Sequence, residues 1–537
     1  MEHLYDKLMK YGQGEDYPLH MPGHKRKLCG EMPPQIFQMD ITEIDGFDNL
    51  HEPEGIIADL QKRIAAFYGA DESYCLVGSS TAGILSAISA AIPMGGHILM
   101  ARNSHKSAYH AAYLRRLRIS YLTPRTLDEY GIADCLTPQQ VAEALDREDD
   151  IDAVFIVSPT YEGRISPIRE IAEVVHARGK ILIVDAAHGA HLVLKDRSSG
   201  KSRFGDEADL VIQSLHKTLP APTQTAVLHV RGELVSRERL QRFLRIYQSS
   251  SPSYVLMAGI DNCVTIMENE GIARYQTFVA RFEELVKELR KCKNIRIFAT
   301  EFLPGDGNGA EDGKNHPEFD GKMGPESQDI GKLLLFPDGS LMTGRQLYDI
   351  LRERYHLQLE MAAEHFCLAM FTVGDTQEGF QRLLTALREI DRELSGKKSL
   401  EEKCAGETYF GEKSAGETWA GETCSAGRLY DGRLGAENGV KGKDMEAAEV
   451  ALPLYQAWDL EWEEVSLKDC VGRIAADFVN LYPPGTPILV PGERFTRDIC
   501  KSLIRYQEQG LHVQGVRWNR DGAFVRCVTV KTRNEDT

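Results

Sequence analysis

The chain has 537 residues, 42% of them hydrophobic, and a formal net charge of −17; it is too long for one core, and too acidic for nucleic acid or an anionic membrane to be its main partner. Its eleven cysteines are scattered without a single Cys-x-x-Cys pair, so neither a disulfide framework nor a zinc site is indicated and no metal is expected. No charged-then-apolar leader precedes the first motif, and no apolar run approaches the roughly 18 to 20 residues that span a bilayer, which predicts a cytoplasmic protein of two or three domains.

The first sixty residues carry Pro and Gly turns and the segment His20-Met21-Pro22-Gly23-His24-Lys25, for which structural anchoring is expected. Ile56, Ile57, Leu60, Ile64, Phe67 and Tyr68 then recur at helical spacing up to Gly69, a helix with a glycine stop. A short strand at 74–76 leads into Val77-Gly78-Ser79-Ser80-Thr81-Ala82-Gly83 and the apolar run 84–88. A glycine turn with hydroxyls at a helix start offers free amides and the positive end of the helix dipole to a phosphate. Standing alone, it reads equally well as an ordinary capped helix, because its spacing is neither the P-loop nor the dinucleotide fingerprint.

From about 73 to 231, apolar runs alternate with helical stretches, including strands at 153–157, 181–184, 210–212 and 226–230 and a crossover helix at 168–177. That alternation predicts a mostly parallel sheet covered on both faces, with ligands at the carboxyl ends of its strands. Two of those ends carry chemistry: Asp185-Ala186-Ala187-His188 follows one, and Ser214-Leu215-His216-Lys217-Thr218 follows the other, the lysine 32 residues after the acid. A lysine that holds pyridoxal phosphate as a Schiff base is usually accompanied by an acid that keeps the pyridine nitrogen protonated. Either residue by itself would pass for a surface group or a cap.

Residues 254–289 read as helix, and 295–394 mixes strands with helices such as 377–394. A Gly-, Asp- and Glu-rich tract at 303–332 reads as a solvated excursion without recognisable chemistry. A second, at 395–446, contains Ala-Gly-Glu-Thr three times and has too few aliphatic residues to offset chain-ordering entropy, which predicts a disordered linker over 396–448. Ordered patterning resumes at 449 and includes Leu481-Tyr482-Pro483-Pro484-Gly485-Thr486-Pro487 ahead of Pro491-Gly492-Glu493.

Taken with Leu50-His51-Glu52-Pro53-Glu54-Gly55, Asn103-Ser104-His105-Lys106-Ser107, Ser158-Pro159-Thr160-Tyr161-Glu162-Gly163 and Ser249-Ser250-Ser251-Pro252-Ser253-Tyr254, these segments make the chain resemble the Orn/Lys/Arg decarboxylase family. The likeness is to its shorter, arginine decarboxylase-like form, without an N-terminal receiver-like domain. It implies an α/β, fold-type I (aspartate aminotransferase-like) large domain over 1–300, a smaller α/β domain over 301–395, and a C-terminal α/β domain over 449–537. It implies pyridoxal 5'-phosphate held by Lys217, with Asp185 on the ring nitrogen, His105 stacked on the ring, Ser79, Ser80 and Ser214 on the phosphate, and His216 beside the lysine. Thr160 and His188 would be ring-side neighbours, and hydroxyls around Ser250 and Ser251 would reach the phosphate of a neighbouring subunit, which makes the chain at least a homodimer. Glu493 would take the distal cation of a basic amino acid. Arginine is the first expectation, as the first step of polyamine synthesis, with lysine and ornithine next. The Asp–Lys pair alone leaves aminotransfer, β-elimination, aldol cleavage and a non-catalytic scaffold open.

Overall fold

The computed structural model describes residues 2–14, 21–22, 24–25, 32–127, 129–199, 205, 207–299, 327–407, 448–482, 485–520 and 522–529. His20, Gly23, Pro483, Pro484 and the parts of the two biased tracts at 303–326 and 408–447 lie outside them.

The large sheet has seven strands in the order 72–76, 226–230, 210–214, 181–185, 153–157, 97–101, 118–122. Pairing is parallel from Leu210–Ser214 through Ile181–Asp185, Ala153–Val157 and His97–Ala101 to Arg118–Leu122. Ala226–Val230 and Glu72–Leu76 add on antiparallel, so the sheet is mostly parallel, as its alternating pattern predicts. Burial on both faces explains the unbroken apolar runs. One face packs against the Ser79–Ala91 and Lys106–Leu114 helices through Ile84, Ile88, Tyr109, Phe155 and Ile212. The other packs against Pro138–Arg147 and Ile168–His176 through Val141, Ile171, Val154 and Leu182.

Several elements stand where the local pattern puts them. The Ile56–Tyr68 helix buries Ile57, Leu60 and Ile64 and ends at Gly69, whose φ of +71° is the left-handed turn that glycine takes without strain. Tyr254–Leu289 forms one 36-residue helix with Ser253 as its N-cap. A four-stranded antiparallel sheet follows, in the order Ile295–Phe298, Lys332–Pro337, Cys367–Met370, Met361–Ala362. In the last part of the chain, two three-stranded sheets enclose a core with Phe495, Leu503 and Val525.

Two expectations are corrected. The Gln377–Glu407 helix runs past 395, so the first part of the proposed linker is helical: half of 396–407 is Lys or Glu, good helix formers that prolong a helix already anchored by Leu387 and Leu394. The end of the first tract is not solvated. Ser327, Gln328, Asp329 and Lys332 are all buried, because the turn ahead of Lys332–Pro337 docks against the 158–164 loop. Arg164 bridges to Gln328 there, and Ile165 N–H donates to Ser327 O at 2.7 Å.

Candidate active site

Asp185 and Lys217 meet in one cavity of about 510 Å³, which Ser79, Ser80, His105, His188 and His216 also line. Another cavity of about 470 Å³ lies beside the 50–55 motif, but the Asp185–Lys217 pair is not part of its lining. Asp185 ends its strand, is 4% exposed, and accepts from Ala187 N–H at 3.1 Å. Burial pushes its carboxyl up, and the Lys217 cation opposes this. Lys217 sits on the one-turn helix Leu215–Thr218 that follows the adjacent strand, with Nζ 3.1 Å from His188 Nε2. Burial pulls its ammonium down, against Asp185 and Glu360.

The phosphate cup is open. Ser79–Ala91 begins after Gly78, which has no side chain to cap it; the Ser79 amide donates to Gln224 O, and the Ser80 and Thr81 amides are left for a ligand. Ser79 takes φ +66°, a left-handed conformation that serine seldom adopts, where the chain turns into the helix. Asn103 Oδ1, in the lining, is buried without a hydrogen-bond partner, and Ser214, fully buried outside the lining, has an Oγ without one. Buried polar atoms without partners, an uncapped helix N-terminus and a buried acid facing a depressed lysine fit a group that is anionic at one end and cationic at its ring. Pyridoxal phosphate is such a group.

The three histidines differ in role. His105 caps the Lys106–Leu114 helix, its Nδ1 accepting from Ser107 N–H at 3.2 Å, so the neutral ring carries its proton on Nε2. Burial, helped by Lys217 and Lys106, pulls this imidazole down to about 4. His216 Nδ1 lies 2.8 Å from Thr225 O, an acceptor only, so its proton is on Nδ1. His188 is buried, lies edge-on to Tyr161, and is bonded through Nδ1 to Lys332 Nζ at 3.0 Å.

Besides Ser214, three expected residues lie outside the lining. Thr160 is buried outside the lining, where Oγ1 accepts from Arg164 N–H at 3.1 Å and its carbonyl takes Gly163 N–H; it shapes the loop rather than flanking the ring. Ser250 is exposed after the Arg237–Tyr247 helix, away from this cavity. Glu493 is 1% exposed and does not face the cavity. Its Oε2 lies 3.0 Å from Arg102 Nη2 and takes Val490 N–H at 2.8 Å. Its charge is therefore matched inside the protein, by Arg102 and the Val490 amide.

Sequence reasoning missed Lys332, Asp329 and Glu360. The first two fall in the tract dismissed as solvated. Glu360, an acid between Leu359 and Met361, lines the Lys217 cavity and a neighbouring one of about 350 Å³, and Tyr161 Oη donates to it. The eight cysteines whose side chains are described form no disulfide, and seven of them are buried. His97, Glu148 and Asp150 come within ligand distance of one another, but the Arg118 guanidinium already bonds His97 and Asp150 there. Among the described residues no helix is long and apolar enough to cross a membrane.

A family model described as Orn/Lys/Arg decarboxylase, major domain, matches residues 2–378, and one described as Orn/Lys/Arg decarboxylase, C-terminal domain, matches 444–528. The chain is 27% identical over 526 residues to an arginine decarboxylase of Bacillus subtilis (strain 168), covering 95% of each. To a lysine decarboxylase of Pseudomonas aeruginosa it is 25% identical, covering 99% of this chain and 80% of that one. The fold is similar to that of the Escherichia coli constitutive lysine decarboxylase, with a TM-score of 0.76 at 20% identity over 98% of this chain and 82% of the other. Because models of both domains match in order and the first alone covers more than half of the sequence, the chain belongs to the Orn/Lys/Arg decarboxylase family and is a pyridoxal-phosphate-dependent amino acid decarboxylase.

Proposed function

We propose that this enzyme decarboxylates a basic amino acid, arginine first and lysine or ornithine next, in the cytoplasm and as an entry to polyamine synthesis. The observation that carries the reading is the convergence of Asp185 and Lys217 on one cavity that also presents Glu360. The 27% identity to the Bacillus subtilis arginine decarboxylase over 526 residues supports arginine as the first candidate.

Pyridoxal phosphate, when bound, supplies a sink for the electrons left at Cα as carbon dioxide departs. Lys217 would hold it through Nζ, and Asp185, an anion at the strand end, would keep its ring nitrogen protonated. Ser79, Ser80, Ser214 and the amides of the Ser79–Ala91 helix would receive the phosphate, and His105 would cover one ring face. His216 has its proton tied to Thr225 O, and burial keeps the ring neutral, so its Nε2 accepts rather than donates. The proton needed at Cα is therefore delivered by Lys217. Glu360 replaces Glu493 as the partner for the substrate's distal cation, because it alone of the two lines the cavity. Ser250, exposed beyond the cavity, is assigned to a neighbouring subunit's site in a homodimer.

Carbon dioxide release from arginine, lysine and ornithine, measured with added coenzyme and with product identification, tests the reading. Agmatine or a diamine supports it; a keto acid product, or no release from any of the three, overturns it.

A further inference from the structure

Cys470 and Cys500 are 30 positions apart in the sequence, yet their sulfurs stand 3.4 Å from each other in the core of the last part of the chain. Both are buried, at 0% and 6% exposure. A covalent S–S bond is about 2.0 Å long, so an approach of about 1.4 Å separates this thiol pair from a disulfide. The backbone holds the two residues against each other. Cys470 lies in the turn region after the Trp462–Ser466 strand, and Cys500 in the first turn of the Arg497–Glu508 helix, which Thr496 caps. Gly472 N–H donates to Phe495 O at 2.8 Å and Phe495 N–H donates to Arg473 O at 2.9 Å, which fastens that turn to the approach of the helix.

We propose that Cys470 and Cys500 are a redox modification site, at which a small peroxide reversibly converts the two thiols into a disulfide that ties together the ends of the segment walling the Lys217 cavity. Tyr482 and Thr486, which line that cavity, lie between the two cysteines, as does Gly485, where a Cβ would stand 3.7 Å from the His105 ring.

The chemistry of the pair divides the roles. A hydrogen bond from Cys470 holds the Cys500 thiol below its usual range in spite of burial, and the start of a helix favours a thiolate as well. The same bond and burial push the Cys470 thiol up. Cys500 is therefore the nucleophile. Its sulfur attacks one peroxide oxygen, the O–O bond breaks, and the departing hydroxide takes up the proton that Cys500 released. Cys500 is now a sulfenic acid, oxidised by two electrons as the peroxide is reduced. The Cys470 sulfur then attacks the Cys500 sulfur: the S–S bond forms, the S–O bond breaks, and hydroxide leaves with the Cys470 proton as water. Two thiols and one peroxide give one disulfide and two waters. Lys468, Asp469, Val471 and Gly472 around Cys470, and Asp498 and Lys501 around Cys500, are exposed, so both sulfurs lie one layer beneath the surface. Cys527 shares the core, but the three sulfurs do not gather within ligand distance of one another, so the pair is not part of a metal site among the described residues.

Mass spectrometric mapping of the cysteine peptides tests the site, on full-length enzyme purified under reducing conditions, treated with hydrogen peroxide, alkylated and digested. The expected result is loss of the alkylated 470 and 500 peptides, gain of one linked pair that lacks two hydrogens, and recovery of both peptides after dithiothreitol. Free thiols at both positions, separate oxidation of each without a link, or a link from either to Cys527 overturns the proposal. In Cys470→Ser the Cys500 sulfenic acid has no resolving partner, so dimedone should label Cys500, and the absence of label overturns the order of steps. Should that variant not fold, the map of the unmodified chain decides by itself. Hydrogen exchange of the peptide across 479–490 reads the tie: it should slow in the linked form and recover with dithiothreitol, and equal exchange overturns that part. Neither coenzyme nor substrate takes part, so the result stands whichever amino acid the enzyme decarboxylates.

Discussion

Asp185 and Lys217 issue from neighbouring parallel strands, Asp185 paired with Ile212 across the ladder and Lys217 carried by the single helical turn that follows Ser214. Adjacent parallel strands end on the same side of the sheet, so an acid and a lysine 32 residues apart share one wall of the cavity. Replacing Lys217 by Ala removes the only Nζ at that wall's centre. The coenzyme should then be lost on gel filtration, with turnover at background; decarboxylation at the unmodified rate would refute the assignment.

Asp185→Asn keeps size and hydrogen bonding but not charge. Activity should fall by about 10²- to 10³-fold, the range for losing one preorganised electrostatic partner, with coenzyme still bound at high concentration. Absorbance titration with coenzyme and single-turnover rates check both points, and near-normal turnover counts against the pair.

Glu360→Gln should raise KM for arginine about tenfold or more, as expected for loss of a hydrogen bond between charged groups, with a much smaller change in kcat. Equal KM values in variant and unmodified enzyme for arginine, lysine and ornithine would remove Glu360 from the substrate pocket.

Glu493→Gln should behave differently. The carboxylate is buried against Arg102, whose guanidinium also donates to the carbonyls of Pro487 and Ile488. Removing one charge leaves the other uncompensated, a cost of about 3–5 kcal/mol. Urea unfolding should show this loss while the order of substrate preference stays the same. A switched preference with unaltered stability would restore Glu493 to the specificity role.

His105 gives a pH signature. Its folded-state value of about 4 lies below the ordinary 6.5, so between those values the unfolded chain binds a proton that the native chain refuses. Stability is present above about 6.5 and is lost as pH falls toward 4. His105 is exposed at the cavity, so solvent screening makes the loss smaller than the full difference would give. His105→Phe should lessen the loss between pH 7 and pH 5 in urea titrations of the coenzyme-free protein, and parallel curves for the two proteins would contradict it.

Much of the fold was legible because its signals are local. The run Ala153-Val154-Phe155-Ile156-Val157 is a strand at those residues, since both its faces are covered, and Gly69 ends the helix that starts at Ile56. The 254–289 helix was readable end to end. The composition of 395–407 misled, because composition reports whether a segment can bury surface and not whether a neighbouring helix will extend through it.

By itself, then, the amino-acid order determined the strands, the uncapped phosphate turn and the placement of Asp185 and Lys217 at strand ends, since each follows from apolar periodicity and turn chemistry within a few residues. Tertiary packing decided which charges meet. Glu493 is taken by Arg102, 391 positions away, and Lys332, 144 positions from His188, becomes part of the site's electrostatics. Such pairings depend on how the antiparallel sheet and the last segment dock on the large sheet, and no short-range pattern encodes that geometry, because a buried charge is stabilised by whichever partner the assembled fold brings within reach.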